Sequence, residues 1–338
     1  MRILFAGTPE PALPVLRALM DSPEHEIVGV LTRADARSGR GRALRPSPVA
    51  ALAREAGIDT RTPATLKDPG TQDWVRALGA DAAVVVAYGR IVPPALLDVP
   101  AHGWLNLHFS LLPAWRGAAP VQHALMAGDD VTGACVFRLE EGLDTGPIHA
   151  RLTEPIGPTD TAGDLLARLA DAGAPLVLDV LAALDAGTAS PTPQPSDGVS
   201  LAPMLMPDDG RIDWTRPAAD IDRQIRGVTP APGAHTTYGG ARFRLGPATP
   251  IEPVADADDA GSLAPGELRA TKREVLVGTG SGALRLGQVA PAGKNWMDAA
   301  AWARGARPEP GARLGEQTTA TSATTASTTM TETRPLPW

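Results

Sequence analysis

The sequence predicts an α/β protein: a mostly parallel sheet covered by helices on both faces, followed by a small β-rich domain. Three observations predict it. Short Val-rich apolar runs alternate with amphipathic stretches over residues 1–150, the pattern of strands buried on both faces. A long helical stretch at 161–187 is followed by TASPTPQPSDGVS at 188–200, a Pro/Ser/Thr composition typical of linkers. From about Asp208 the runs become short, β-like and Gly-turned, as in a small barrel of the OB type. A chain of 338 residues, 43% hydrophobic, is long enough for two cores. The boundaries read as 1–187 for the α/β domain, 188–207 for a linker, 208–315 for the β-rich domain and 316–338 for a tail.

The elements follow in order. RILFAG is a strand ending at Gly7, and PALPVLRALMD follows with Leu13, Leu16, Leu19 and Met20 at helical spacing. IVGVLT, the helix-like SPVAALAREAG, WVRALG, the apolar DAAVVVAYG, WLNLHFS, the helix-like APVQHALMAGD and ACVFRLEEG continue the alternation. Sheets of this type place their sites at the carboxyl ends of strands. FAGTP, VAYG and the NLHFS turn therefore converge. Thr159 or Thr161 suits the cap of the 161–187 helix, and Gly187 its stop. Beyond the linker one helix, PAADIDRQIRGV, precedes HTTYGGARFRLG, GELRAT and EVLVGTGSGALRLGQVAP. Residues 318–333, TTATSATTASTTMTET, lack core-forming side chains and read as disordered.

Composition excludes several classes. The single cysteine, Cys135, lies in the apolar run ACVF, so it reads as a buried small hydrophobe with no disulfide partner. No His or Cys spacing suits a metal. The N-terminus lacks the apolar core and cleavage site of a signal peptide, and no run approaches the ~18 apolar residues of a membrane span. The cytoplasm is the default expectation. The first β–α turn, FAGTPEPA, carries only Gly7 where a dinucleotide cradle needs three glycines, which argues against nicotinamide binding. Net charge is −7, yet Arg33, Arg37, Arg40, Arg42 and Arg45 crowd a stretch with one acid, Asp35. Residues 211–315 hold 14 basic and 11 acidic side chains. The acidity lies elsewhere, and a nucleic-acid partner is not excluded.

The chemistry concentrates in NLHFSLLPAWRGAAPVQ (106–122) and GLDTG (142–146). Asn106 and His108 are two apart, so in a strand both face the same side. Asp144 sits in a Gly-bounded loop after the next apolar run, from which it can fold back over that strand end. An amide and a ring to bind a tetrahedral oxyanion, with a base for the proton of an attacking nitrogen, are the requirements of acyl transfer to an amine.

These motifs resemble the signature of the folate-dependent formyltransferases. Together with GRGRALRPSPV (Gly39–Val49), VVAYGRIVP (Val85–Pro93), GRIDW (Gly210–Trp214) and PAGK (Pro291–Lys294), they are similar, in order and from Met1 to about Gly315, to the methionyl-tRNA branch of that family. The resemblance implies a Rossmann-like formyltransferase domain with an OB-like accessory domain, and transfer of a formyl group from 10-formyltetrahydrofolate to methionyl initiator tRNA in translation initiation. It implies Asn106, His108 and Asp144 as catalytic residues, with the proton going to Asp144 directly or through water, or Asp144 orienting His108. It implies folate contacts from Ser110, Leu111, Leu112, Pro113, Tyr88, Gly89 and Ile91, and tRNA contacts from Arg40, Arg42 and Lys294. No metal, no membrane and a monomer are expected.

The chain departs from the family pattern at Pro11, where an aromatic residue is common, at Met204, where a Lys is usual, at Met206-Pro207, and at Asn295-Trp296, where more basic residues are common. The last changes remove positive charge from the tRNA side. Three other readings remain open: a formyltransferase for another amine, such as an amino-sugar nucleotide or glycinamide ribonucleotide; a folate hydrolase or dehydrogenase module; and a non-catalytic RNA-binding protein.

Overall fold

The computed structural model describes residues 1–38, 43–251 and 263–316. Arg40, Arg42 and the Thr-rich tail lie outside the described residues. The first half builds β1 (Arg2–Gly7), α1 (Leu13–Asp21), β2 (Glu26–Leu31), the antiparallel pair β3 (Ala36–Ser38) and β4 (Ala43–Arg45), α2 (Pro48–Glu55), β5 (Thr60–Arg61), α3 (Pro69–Ala77), β6 (Ala82–Val86), α4 (Pro94–Leu97), β7 (Trp104–His108), β8 (Arg116–Gly117), α5 (Pro120–Ala127), β9 (Val131–Arg138), β10 (Ile148–Pro155) and α6 (Ala162–Asp185). The helices start where the sequence supplies caps. Ser47 and Asp68 accept from Ala50 N–H and Thr71 N–H, and Thr161 with Asp164 forms a reciprocal capping box on α6.

One seven-stranded sheet runs β10-β9-β7-β6-β1-β2-β5. The strands from β7 to β5 are parallel, as the alternation predicts, and β9 and β10 add an antiparallel edge. The sheet is buried on both faces. Leu105, Leu107 and Phe109 enter the core under α1 and α6, whereas Trp104 enters the second core with Tyr88, Leu96 and Leu97. By alternation, Asn106 and His108 share the Trp104 face.

The second half holds β11 (Leu201–Ala202), α7 (Ala218–Gly227), β12 (His235–Tyr238), β13 (Ala241–Leu245), β14 (Ala248–Ile251), β15 (Leu268–Ala270), β16 (Val275–Gly278), β17 (Ala283–Leu286), β18 (Gln288–Pro291), β19 (Met297–Asp298) and α8 (Ala299–Ala306). Its strands are antiparallel, in sheets ordered β12-β13-β18-β19 and β14-β17-β16-β15. β13 runs into β14 across Gly246-Pro247, and β17 into β18 across Gly287, with Gly246 N–H donating to the Gln288 carbonyl at 2.8 Å. The same strands thus bend from one sheet to the next where glycine permits it. Phe243, Leu245 and Val289 from one sheet share a core with Val275, Val277 and Leu284 from the other.

The halves meet directly. Gly163 N–H donates to the Thr229 carbonyl at 3.1 Å and the Arg226 guanidinium to the Asp160 carbonyl at 3.2 Å. The Pro/Ser/Thr stretch also packs on the first domain. Thr192 bridges Ile148 through two bonds of 2.8 Å, and β11 pairs in parallel with β8.

Candidate active site

The loop between β9 and β10 decides the site. β9 runs antiparallel to β7, so its carboxyl end, Arg138, lies beside Leu105 at the amino end of β7. To place Asp144 at the opposite end of β7 the chain must double back across the sheet face. It does so through GLDTG. A side chain at Gly146 would run into the Arg138 carbonyl. Asp144 itself takes φ +50°, a left-handed conformation that Asp tolerates better than most residues.

The result brings the catalytic candidates together. Asp144 Oδ2 lies 3.9 Å from His108 Nδ1 and accepts a hydrogen bond from Gly117 N–H at 2.8 Å. That donor is fixed in turn. Gly117 has φ +125°, and a Cβ there would strike the Ala202 carbonyl of β11, so no other residue lets the strand approach so closely. His108 is buried, 5% exposed, and its ring packs edge-on against Phe137, with centroids 6.2 Å apart at 89°. Its Nε2 donates to the Trp115 carbonyl at 2.9 Å. A carbonyl only accepts, so the neutral ring carries its proton on Nε2, and Nδ1 presents a lone pair toward Asp144. Burial pulls the His108 pKa below the ordinary histidine value, with the Asp144 carboxylate and the Trp115 carbonyl pulling the other way. The ring is neutral at pH 7. Asn106 is half-buried beside it on β7.

Trp115 carries no signal in the sequence, where it reads as one letter of the turn after SLLP. It has φ +58° and is pinned three ways: Nε1 donates to Asp129 at 2.8 Å, its N–H donates to Ser200 Oγ at 2.9 Å, and its ring stacks on His123 at 5.9 Å. No periodicity signals such a residue, because its contribution is a backbone carbonyl.

The other expected residues divide. Ser110 is fully buried and donates to the Ala114 carbonyl at 2.6 Å, and Leu112 and Pro113 are buried too, Leu112 among Cys135, Phe137 and Ile148. Leu111 is half-buried against Gly133. That turn offers a ligand its shape and backbone more than its side chains. Tyr88 is buried with its hydroxyl unpartnered, and burial pushes its pKa up to about 12 against the opposing charge of Arg90. An unpartnered buried hydroxyl costs about 1–3 kcal/mol, a penalty that a polar ligand atom would relieve. Gly89 has φ +74°, and Ile91 and Leu143 are exposed aliphatics, at 86% and 59%. Among the described residues no group of acidic, His and Cys side chains suits a metal ion.

A cleft of about 1000 Å³ opens at the carboxyl ends of β1 and β7. Pro11, Arg33, Arg45, Phe109 and Gln122 line it, and Pro230 of the second domain closes one side. Lys294 lies elsewhere, in a groove of about 680 Å³ with Arg242 and Arg244. Of the departures from the family pattern, Pro11 lines the cleft, whereas the others are surface features: Met204 and Met206 are exposed, and Trp296 carries the Arg244 guanidinium 4.8 Å over its ring.

Residues 1–181 match the formyl transferase family, and residues 204–307 match the formyl transferase C-terminal domain. A methionyl-tRNA formyltransferase of Acidothermus cellulolyticus is 57% identical over 324 residues, covering 93% of this chain and all of that protein. The chain belongs to the methionyl-tRNA formyltransferase family. A second member, from Thermobifida fusca, is 55% identical over 316 residues, covering 94% of this chain and all of that one. A solved methionyl-tRNA formyltransferase of Clostridium thermocellum superposes with a TM-score of 0.54 at 17% identity, over 74% of this chain and 93% of that one, a likeness of fold. The family is one of formyl-transferring enzymes. Among the described residues no helix is long and apolar enough to cross a membrane.

Proposed function

We propose that this chain transfers the formyl group of 10-formyltetrahydrofolate to the α-amino group of methionyl initiator tRNA, for translation initiation. One observation carries the reading. Asp144, His108 and Asn106 converge on one strand face, in a chain more than half identical to curated methionyl-tRNA formyltransferases over nearly its whole length. The folate donor supplies the activated formyl carbon. Tyr88, Gly89, Ile91 and the Ser110–Pro113 turn are assigned to hold it, with Leu143 added beside Asp144. The aminoacyl end is assigned to the cleft beside Phe109, where Arg33 and Arg45 provide phosphate contacts. Arg40, Arg42 and Lys294 are assigned to the tRNA body.

The residues act as follows. With Nε2–H held by Trp115, Nδ1 is the ring nitrogen available for chemistry. The acceptor amine must be neutral to attack, and an α-amino group titrates near 7.7–8.0, roughly. His108 Nδ1 takes the proton that the nitrogen sheds on bond formation, directly or through one water shared with Asp144. The resulting imidazolium faces the Asp144 carboxylate, which stabilises it as in any base–carboxylate pair. When the tetrahedral intermediate collapses, the bond from the formyl carbon to folate N10 breaks and the imidazolium gives its proton to that nitrogen, so tetrahydrofolate leaves neutral and His108 is reset. Asn106 donates from its amide to the developing oxyanion. All three groups come from one chain, so a monomer suffices. Residues 1–187 serve as the catalytic domain and 208–315 as the tRNA-binding domain, joined through 188–207.

The test is a single-turnover assay with purified protein, 10-formyltetrahydrofolate and charged initiator tRNA. Formylmethionine on the tRNA is the expected product, and absence of transfer to tRNA would overturn the reading.

A further inference from the structure

Between Ser190 and Val199 every residue is exposed except one, Gln194, which is half-buried. It lies in the stretch that composition assigns to a linker, yet its side chain makes four hydrogen bonds into the site. Nε2 donates to the carbonyls of Asp144 at 2.7 Å and Gly146 at 2.8 Å. Oε1 accepts from the Arg116 guanidinium at 2.7 and 3.2 Å. Both of its amide atoms are therefore satisfied, and the GLDTG loop that carries Asp144 is joined through one side chain to the turn after SLLP, which holds His108 through the Trp115 carbonyl and Asp144 through Gly117 N–H. Pro193 and Pro195 flank it and restrict the backbone, so little entropy is lost in holding it there.

The same strand of chain continues the clamp. Ser200 accepts from Trp115 N–H, and its carbonyl accepts from Arg116 N–H at 2.9 Å. Ala202 then meets Gly117, the donor to Asp144. Asp144 needs such support. It stands at φ +50° in a loop that doubles back across a sheet, and its carboxylate must hold its distance from His108.

We infer that Gln194 is a positioning residue for formyl transfer: it fixes the backbone of Asp144, and so the carboxylate that faces His108, from the segment that leads to the second domain. The inference rests on the proposed reading of Asp144 and His108 as reacting groups.

The experiment uses the full chain, with the wild type measured first. If the wild type formylates an amine other than that of methionyl-tRNA, that acceptor replaces tRNA for the variants. Failure of the tRNA reading is then visible in the wild type alone. For Gln194→Ala the expected result is a kcat lowered about ten- to a hundredfold, the scale of a sub-ångström to 1 Å misplacement, with KM for donor and acceptor unchanged. Gln194→Glu keeps the shape and both acceptor contacts to Arg116 but replaces the one nitrogen that donates twice by an oxygen facing two carbonyls. It is expected to lose kcat at least as severely, and to raise the midpoint of the pH–rate profile, because a new negative charge beside Asp144 favours protonation of the pair. Wild-type kcat in either variant would overturn the proposal. So would a loss confined to KM for the acceptor, which would make the segment a spacer between domains. If Gln194→Ala fails to fold, as read by thermal melting, Gln194→Glu with its retained shape decides the matter on the same criteria.

Discussion

Asp144→Asn isolates charge from shape. The carboxylate oxygen that faces His108 is the one that accepts from Gly117 N–H. An asparagine can keep that bond by turning its carbonyl oxygen there, so the loop retains its path while the negative charge disappears. A unit charge at the observed 3.9 Å is worth about 4 kcal/mol at an effective dielectric of about 20. Since ~1.4 kcal/mol is a factor of ten, that sets a ceiling of roughly three decades on stabilisation of the His108 imidazolium. Both side chains are nearly closed to solvent, at 6% and 13% exposed, so screening removes only part of it. The expected fall in the single-turnover rate is about 10²–10³. It should persist at high pH, because an amide regains no charge there. The assay is rapid-quench formylation with saturating donor, alongside folate binding and melting curves that should stay at wild type. A rate within tenfold of wild type across the pH range would refute the reasoning and leave Asp144 as a loop residue.

Other outcomes follow from the same site. Asn106→Ala and His108→Ala should each slow the chemical step about 10²–10³-fold with folate binding little changed, and a single-turnover rate above a tenth of wild type would remove that residue from the mechanism. The rate should rise with pH and then level, because burial holds His108 in its neutral form and the amine must also be neutral. Folded His108 titrates below its ordinary value, so its contribution to stability is complete above about 6.5 and is lost as pH falls through the lower, folded value. A pH–rate profile that falls between pH 6 and 8 would require a protonated ring and contradict the assignment. Arg45→Ala should raise KM for tRNA while leaving folate affinity alone, with the relative defect shrinking as salt screens phosphate contacts. A change in folate affinity measured without tRNA would move the cleft assignment.

Much of this architecture is legible in the sequence because it rests on periodicity. DAAVVVAYG and WLNLHFS read as buried parallel strands, and β6 and β7 are adjacent and parallel in the sheet. The spacing of Asn106 and His108 put them on one face, and the strand alternation around Trp104 and Leu107 agrees. Cys135 is buried, as its apolar run implied. The path of GLDTG back across β7 was legible only as a possibility, since it depends on β9 being antiparallel, a property of the sheet and not of the run. Trp115 and Gln194 were illegible for a different reason. One acts through its own carbonyl and the other on carbonyls far away in sequence, and neither leaves a pattern in its neighbours. TASPTPQPSDGVS reads as a spacer because prolines and small polar residues dominate spacers. The same residues also suit a strap that crosses a surface without a ladder of its own.

The most direct test is competition. Purified protein with 10-formyltetrahydrofolate carrying a labelled formyl group is offered methionyl initiator tRNA, an amino-sugar nucleotide and glycinamide ribonucleotide in one mixture, and the label is followed. Label on the α-amino group of the methionyl-tRNA, abolished in His108→Ala and Asp144→Asn, is the predicted result. Label on either of the other amines with none on the tRNA would contradict the account.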